Sequence, residues 1–166
     1  MEVLMKVAFV MGSDSDLPVV EKGIKTVQDF GVEVVVRVIS AHRTPGTAEE
    51  FAKTAEENGI GVIVAAAGKA AHLGGVLAAY TTIPVIGLPI KSSTLDGLDS
   101  LLSIVQMPPG IPVATVAIDG AENAGILAVQ MLALGNAELK EKLKAHKKAM
   151  ADKVAAKDAA VAARFC

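Results

Sequence analysis

Short, largely apolar runs alternate with longer segments of helical spacing, and this alternation limits the fold more than any other feature. The runs are Lys6–Met11 (KVAFVM), Val32–Ile39, Ile60–Ala66 (IGVIVAA), Pro84–Leu88 (PVIGL) and Pro112–Ile118 (PVATVAI). Between or after them lie helical patterns over Asp16–Phe30, Thr47–Asn58, Ala70–Tyr80, Leu95–Val105 and Glu122–Leu134. In the first, Leu17, Val20, Ile24 and Val27 recur near one turn apart, Pro18 sits where a first turn tolerates it, and Gly31 closes the helix. Short strands alternating with helices of ten to fifteen residues mean βαβ units and a mainly parallel sheet. Strands that are apolar throughout, rather than at every second residue, are covered on both faces. The expected fold is an α/β three-layer αβα sandwich around a mainly parallel five-stranded sheet, flavodoxin-like or Rossmann-like. A catalytic domain over 1–135 is followed by a terminal helix over 136–166.

Composition excludes several alternatives. Hydrophobic residues make up 52% of the 166 and charged residues 20%, which rules out disorder. The one cysteine, Cys166, cannot build a disulfide scaffold and fits a reducing, cytoplasmic setting. A net charge of −2 is wrong for a dedicated nucleic-acid binder. Two stretches without Asp, Glu, Lys or Arg, Ala70–Ile90 and Ser100–Ile118, are long enough for a bilayer. Their density of Gly and Pro (Gly74, Gly75, Pro84, Gly87, Pro89; Pro108, Pro109, Gly110, Pro112) breaks each into helix, turn and strand, so neither is read as a span. Burial between subunits accounts better for the apolar excess.

The terminal helix, about Ala137–Phe165 with Asn136 as N-cap, carries apolar residues 11 apart: Leu139, Met150 and Val161, and again Leu143, Val154 and Phe165. With 8 Lys/Arg against 4 Asp/Glu from Glu138 onward, it reads as a solvated helix whose stripe docks on the body or on a neighbouring subunit.

Ligands of such sheets bind beyond the carboxyl ends of the strands, which places any chemistry in the loops there. Gly12-Ser13-Asp14-Ser15-Asp16 offers a small residue for close backbone approach, hydroxyls and free helix-start amides that suit a phosphate. Asp16 either caps the following helix or accepts hydrogen bonds from a sugar diol. Ser40-Ala41-His42-Arg43-Thr44-Pro45 offers an imidazole that exchanges protons near neutral pH and a bidentate cation. Gly68-Lys69-Ala70-Ala71-His72-Leu73 is a small-residue loop ending at a second histidine, which starts the next helix. Together these loops point to a phosphorylated small molecule. His42, His72 and His146 are too scattered, without a cysteine pair, to form a recognisable metal-ligand set. The Walker phosphate loop, the Gly-x-Gly-x-x-Gly turn and the Gly-x-Ser-x-Gly elbow are all absent. His42 is therefore the strongest proton carrier, for a reaction that needs one shuttle and good positioning but no cofactor.

Six blocks in order, MGSDSD, SAHRTP, AAGKAAHLGG, PVIGLP, DSLLSIVQMPPGIPVATVAI and ENAGILAVQML, resemble the aminoimidazole ribonucleotide carboxylase family, in its mutase branch, from about Val7 to Leu134. The resemblance implies conversion of N5-carboxyaminoimidazole ribonucleotide to its 4-carboxy isomer in purine biosynthesis, with no metal and no cofactor. It also implies a cytoplasmic homo-octamer with sites at subunit junctions. Carried over by motif position, His42 is the catalytic residue. Ser13, Asp16 and Arg43 bind substrate, with Asp16 on the ribose hydroxyls and Arg43, Ser15 and Ser40 on the phosphate. Gly12 lies beside them, and Gly68, Ala70, His72 and Leu73 border the imidazole and its carboxylate. Two residues depart from the family pattern: Gly74, where proline is frequent, and Lys69, where glycine or methionine is common. Lys69 either reaches a carboxylate or points to water.

Overall fold

The computed structural model describes residues 5–165. Successive side chains of a strand point to opposite faces, and here that alternation divides one sheet's residues between two cores. In β1 (Lys6–Met11), Val7, Phe9 and Met11 turn to one side while Ala8 and Val10 turn to the other. In β3 (Ile60–Ala67), Val62, Val64 and Ala66 join the first set, and Ile63, Ala65 and Ala67 the second. The first core is closed by α1 (Leu17–Asp29) and α5 (Ala121–Ala133), through Val20, Val27, Ala124 and Val129. The second is closed by α2 (Pro45–Thr54), α3 (Leu73–Tyr80) and α4 (Leu98–Val105), through Phe51, Leu77 and Ile104. Each Val, Leu, Ile, Phe or Met among them, once fully buried, contributes about 1.5–3 kcal/mol.

With β2 (Val34–Val38), β4 (Val85–Pro89) and β5 (Ala114–Thr115), the sheet has the order β2-β1-β3-β4-β5, every pair parallel. This is the three-layer sandwich expected, with the flavodoxin-like strand order. Coverage on both faces holds for β1, β3 and β4 but not at the edges. In β2, Val36 is 42% and Val38 56% exposed, and β5 shrinks to two half-buried residues. An edge strand has one neighbour and less helix above and below it, and Pro112 has no N–H to donate to the ladder.

The helix ends follow local chemistry. Gly31 and Gly59 take φ of +79° and +77°, the left-handed values that close α1 and the turn after α2. Asn136 caps α6 (Ala137–Ala162) by accepting the Leu139 N–H at 3.1 Å. Leu139 and Leu143 dock on the first core, and Lys142 donates to the Phe30 carbonyl at 3.0 Å. Beyond that turn, Met150, Val154 and Phe165 stay exposed. Three helices begin or end away from the pattern: α2 starts two residues early, at Pro45, whose fixed φ suits a first turn; α3 starts at Leu73, after a non-helical loop; and a 3-10 turn, Leu95–Gly97, precedes α4. Among the described residues no helix is long and apolar enough to cross a membrane.

Candidate active site

A parallel sheet directs the loops after all its strands to one edge. In the 2-1-3-4-5 order the crossovers diverge between β1 and β3, leaving a crevice there. A cleft of about 440 Å³ occupies that place, bordered by the loops after β1, β2, β3 and β4. Gly12, Ser13, Ser15 and Asp16 come from the first loop and Ser40, His42 and Arg43 from the second. Gly68, Ala70, His72 and Leu73 come from the third, so every residue expected to take a catalytic or binding part borders this one cleft. The loop after β4 adds residues that no motif in the sequence marks. Lys91, Ser92 and Ser93 line the cleft there, a cation and two hydroxyls in the same style as the first two loops.

The loops after β1 and β2 are folded on their own hydroxyls. Ser13 caps the 3-10 turn Asp14–Asp16 by accepting the Ser15 N–H at 3.3 Å, and it lies 2.8 Å from the Ser15 hydroxyl. Capping therefore falls to Ser13. Asp16 stands at the N-cap of α1, yet its side chain makes no capping bond and borders the cleft. Burial pushes its carboxyl above the ordinary aspartate range. The charges of Asp119 and Asp14 add to that push, and hydrogen bonds from Ser15 and from the backbone near Ser13 partly oppose it. A desolvated carboxylate that caps nothing is suited to accepting hydrogen bonds from a ligand's hydroxyls.

In the second loop, Thr44 ties both ends of the turn. Its hydroxyl accepts the Ser40 N–H at 3.0 Å, and its own N–H donates to the Ser40 carbonyl at 2.9 Å. Ser40 Oγ accepts the Arg43 N–H at 3.1 Å. Among the described residues Arg43 forms no ion pair, so its guanidinium is available to an anion. His42 Nε2 lies 2.9 Å from His72 Nδ1, with the rings edge to face at 5.0 Å. One nitrogen must carry a proton and the other must accept it, so the two imidazoles hold a proton between them. They stand 30 residues apart, in the loops after β2 and β3, and meet because those two strands flank β1 on either side.

Gly12 is not required by its backbone, since its φ is not left-handed and an added Cβ would meet only the Ala66 carbonyl, at 4.0 Å. Its smallness keeps the cleft open. Lys69 is exposed, at φ +57°, and borders the mouth of the cleft. Gly74 is buried, and a Cβ there would make ordinary contact with Val113 at 3.5 Å. No cluster of His, Cys, Asp and Glu suited to a metal occurs among the described residues.

The topology and the cleft define a flavodoxin-like α/β protein with a cleft rich in hydroxyls and histidine at the carboxyl edge of its sheet. The family model described as AIR carboxylase matches residues 6–153, and the chain belongs to that family. It is 63% identical over 145 residues to an N5-carboxyaminoimidazole ribonucleotide mutase of Pyrococcus abyssi, covering 87% of this chain and 83% of that one. It is 54% identical, again over 145 residues, to the protein of the same name from Thermotoga maritima, covering 87% and 85%. Among solved structures, Treponema denticola PurE superposes with a TM-score of 0.85 at 28% identity, covering 92% of this chain and 96% of that one.

Proposed function

We propose that this protein is an isomerase of purine biosynthesis that moves the carboxylate of N5-carboxyaminoimidazole ribonucleotide from nitrogen to ring carbon C4. Relatives bearing the mutase name are similar over most of both chains. The observation that carries the reading is the His42–His72 pair, 2.9 Å apart, in a cleft that also presents Arg43 and Asp16.

The chemistry follows from those groups. Arg43, with Ser15 and Ser40, holds the phosphate through charge-assisted bonds. Asp16 accepts the ribose hydroxyls. Protonated His42 gives its proton to the carbamate nitrogen, the N–C bond breaks, and carbon dioxide and the amine are released. The carbon dioxide stays beside the ring against the small residues Ala67, Gly68 and Ala70. The electron-rich C4 attacks it to form the new C–C bond. Neutral His42 removes the C4 proton, the ring regains aromaticity, and the histidine returns to its starting state. His72 fixes the ring of His42 and shares its proton. Holding carbon dioxide in place replaces a bimolecular encounter with a unimolecular one.

Self-association completes the proposal for this cytoplasmic enzyme, with a homo-octamer as the assembly. Leu98, Leu102 and Val105 form one exposed face of α4, and the end of α6 exposes a second apolar set.

Incubation with the N5-carboxy substrate, followed by absorbance, tests the reaction. His42→Asn is expected to lower kcat by at least about 10²-fold with KM little changed. Wild-type turnover by that variant would remove His42 from the mechanism.

A further inference from the structure

The wall of the cleft after β4, Lys91–Ser93, has no regular structure to hold it, since β4 ends at Pro89 and α4 begins at Leu98. Between them Leu95 and Asp96 take φ of +51° and +52°. Side-chain-bearing residues adopt such values only where surrounding bonds over-determine the backbone. Most of those bonds come from the segment itself or from α4. Buried Ser100 Oγ lies 2.8 Å from the carbonyls of both Ile90 and Gly97, and Ser92 Oγ lies 3.0 Å from both carboxylate oxygens of Asp99. Lys91 Nζ pairs with Asp96 at 3.1 Å.

One clamp comes from elsewhere. Asp119, in the turn between β5 and α5, donates its N–H to the Pro89 carbonyl at 2.8 Å, and its Oδ1 accepts the Lys91 N–H, also at 2.8 Å. The two bonds grip the chain on either side of Ile90, where strand gives way to cleft wall. Asp119 does this at φ +56°, a value that glycine would adopt without penalty. Its side chain does not border the cleft; its charge reaches Asp16 through space, which D119N removes, and its hydrogen bond holds Lys91, which D119N keeps.

We propose that Asp119 is a positioning residue for the reaction, its carboxylate fixing the Lys91 backbone and so setting the Lys91–Ser93 wall against the substrate. The proposal rests on the isomerase reading above. A turn residue with a purely structural part behaves differently from a positioning one, and glycine separates the two. Asp119→Gly relieves the left-handed strain and removes the acceptor. Its melting temperature is expected to match or exceed that of the wild type, while KM rises about tenfold or more and kcat changes less. Asp119→Asn keeps an oxygen at the same position and is expected to stay within about threefold of wild-type KM. Amide hydrogen exchange at Lys91 is expected to be slow in wild type and D119N and fast in D119G.

Wild-type kcat and KM in D119G would overturn the proposal, and so would a D119N as impaired as D119G, because the acceptor would then not be the cause. Where D119G melts well below wild type, D119A decides: raised KM with a protected Lys91 amide lost supports the clamp, and unchanged KM overturns it. Wild-type protein inactive on the substrate would instead bring down the isomerase reading, and this proposal with it. An active wild type with a silent D119G brings down this proposal alone.

Discussion

Under the proposed function, Asp16 sets binding against stability. Its folded carboxyl holds a proton to higher pH than an unfolded aspartate, which ionises at about 3.9. Between the unfolded and folded values the native state binds more protons, so stability falls as pH rises through that window and stays reduced above it. Asp16→Asn removes this penalty. Its melting temperature by calorimetry is expected to exceed that of the wild type at pH 7 and to converge with it near pH 3, while affinity for the ribonucleotide drops by about tenfold. A variant less stable than wild type at pH 7 would contradict the burial argument. Arg43→Ala is expected to raise KM by about 10²-fold, and lysine is expected to restore little of it, because a point charge cannot replace a bidentate fork. Titration with the product reads the same loss. At this scale much was legible, since Ser, Asp, Arg and His at strand ends declare their chemistry. Asp119 was not, because its partner Lys91 lies 28 residues away.

The crossing of α1 and α5 shows what a helical pattern leaves unsaid. A Cβ on Gly23 would lie 2.5 Å from the Ala121 carbonyl oxygen, and one on Gly125 would lie 2.8 Å from that of Gly23. The two backbones touch there, and glycine is what permits it. Gly23→Ala is expected to destabilise by about 2 kcal/mol, since backbone rather than a flexible side chain must move. Gly46, exposed in α2 with nothing within 4 Å of an added Cβ, supplies the contrast. Gly46→Ala is expected to stabilise by about 0.5–1 kcal/mol. Urea melts of both variants check the pair of signs. The positions and types of the elements followed from local periodicity. The shortened β5 did not, because an apolar run reads alike at the centre and the edge of a sheet, whereas Arg37 within β2 is a charge of the kind an exposed edge strand carries.

For the molecule as a whole, the apolar excess is not used up inside one chain. Leu98, Leu102 and Val105, on one face of α4, are 46%, 53% and 44% exposed, and the face has no partner among the described residues. Sedimentation velocity is expected to give a mass several times that of the chain, and Leu98→Lys with Leu102→Lys to lower it. A monomeric wild type would refute self-association. Alternation of strand and helix, the two-sided burial of the central strands, and the concentration of polar chemistry in loops are all written in contiguous residues. They were therefore readable in order along the chain. The strand order, the meeting of His42 with His72 and the clamp of Asp119 on Lys91 are pairings between distant segments. Chain connectivity permits many such pairings, and only packing of both faces of the sheet at once selects one of them.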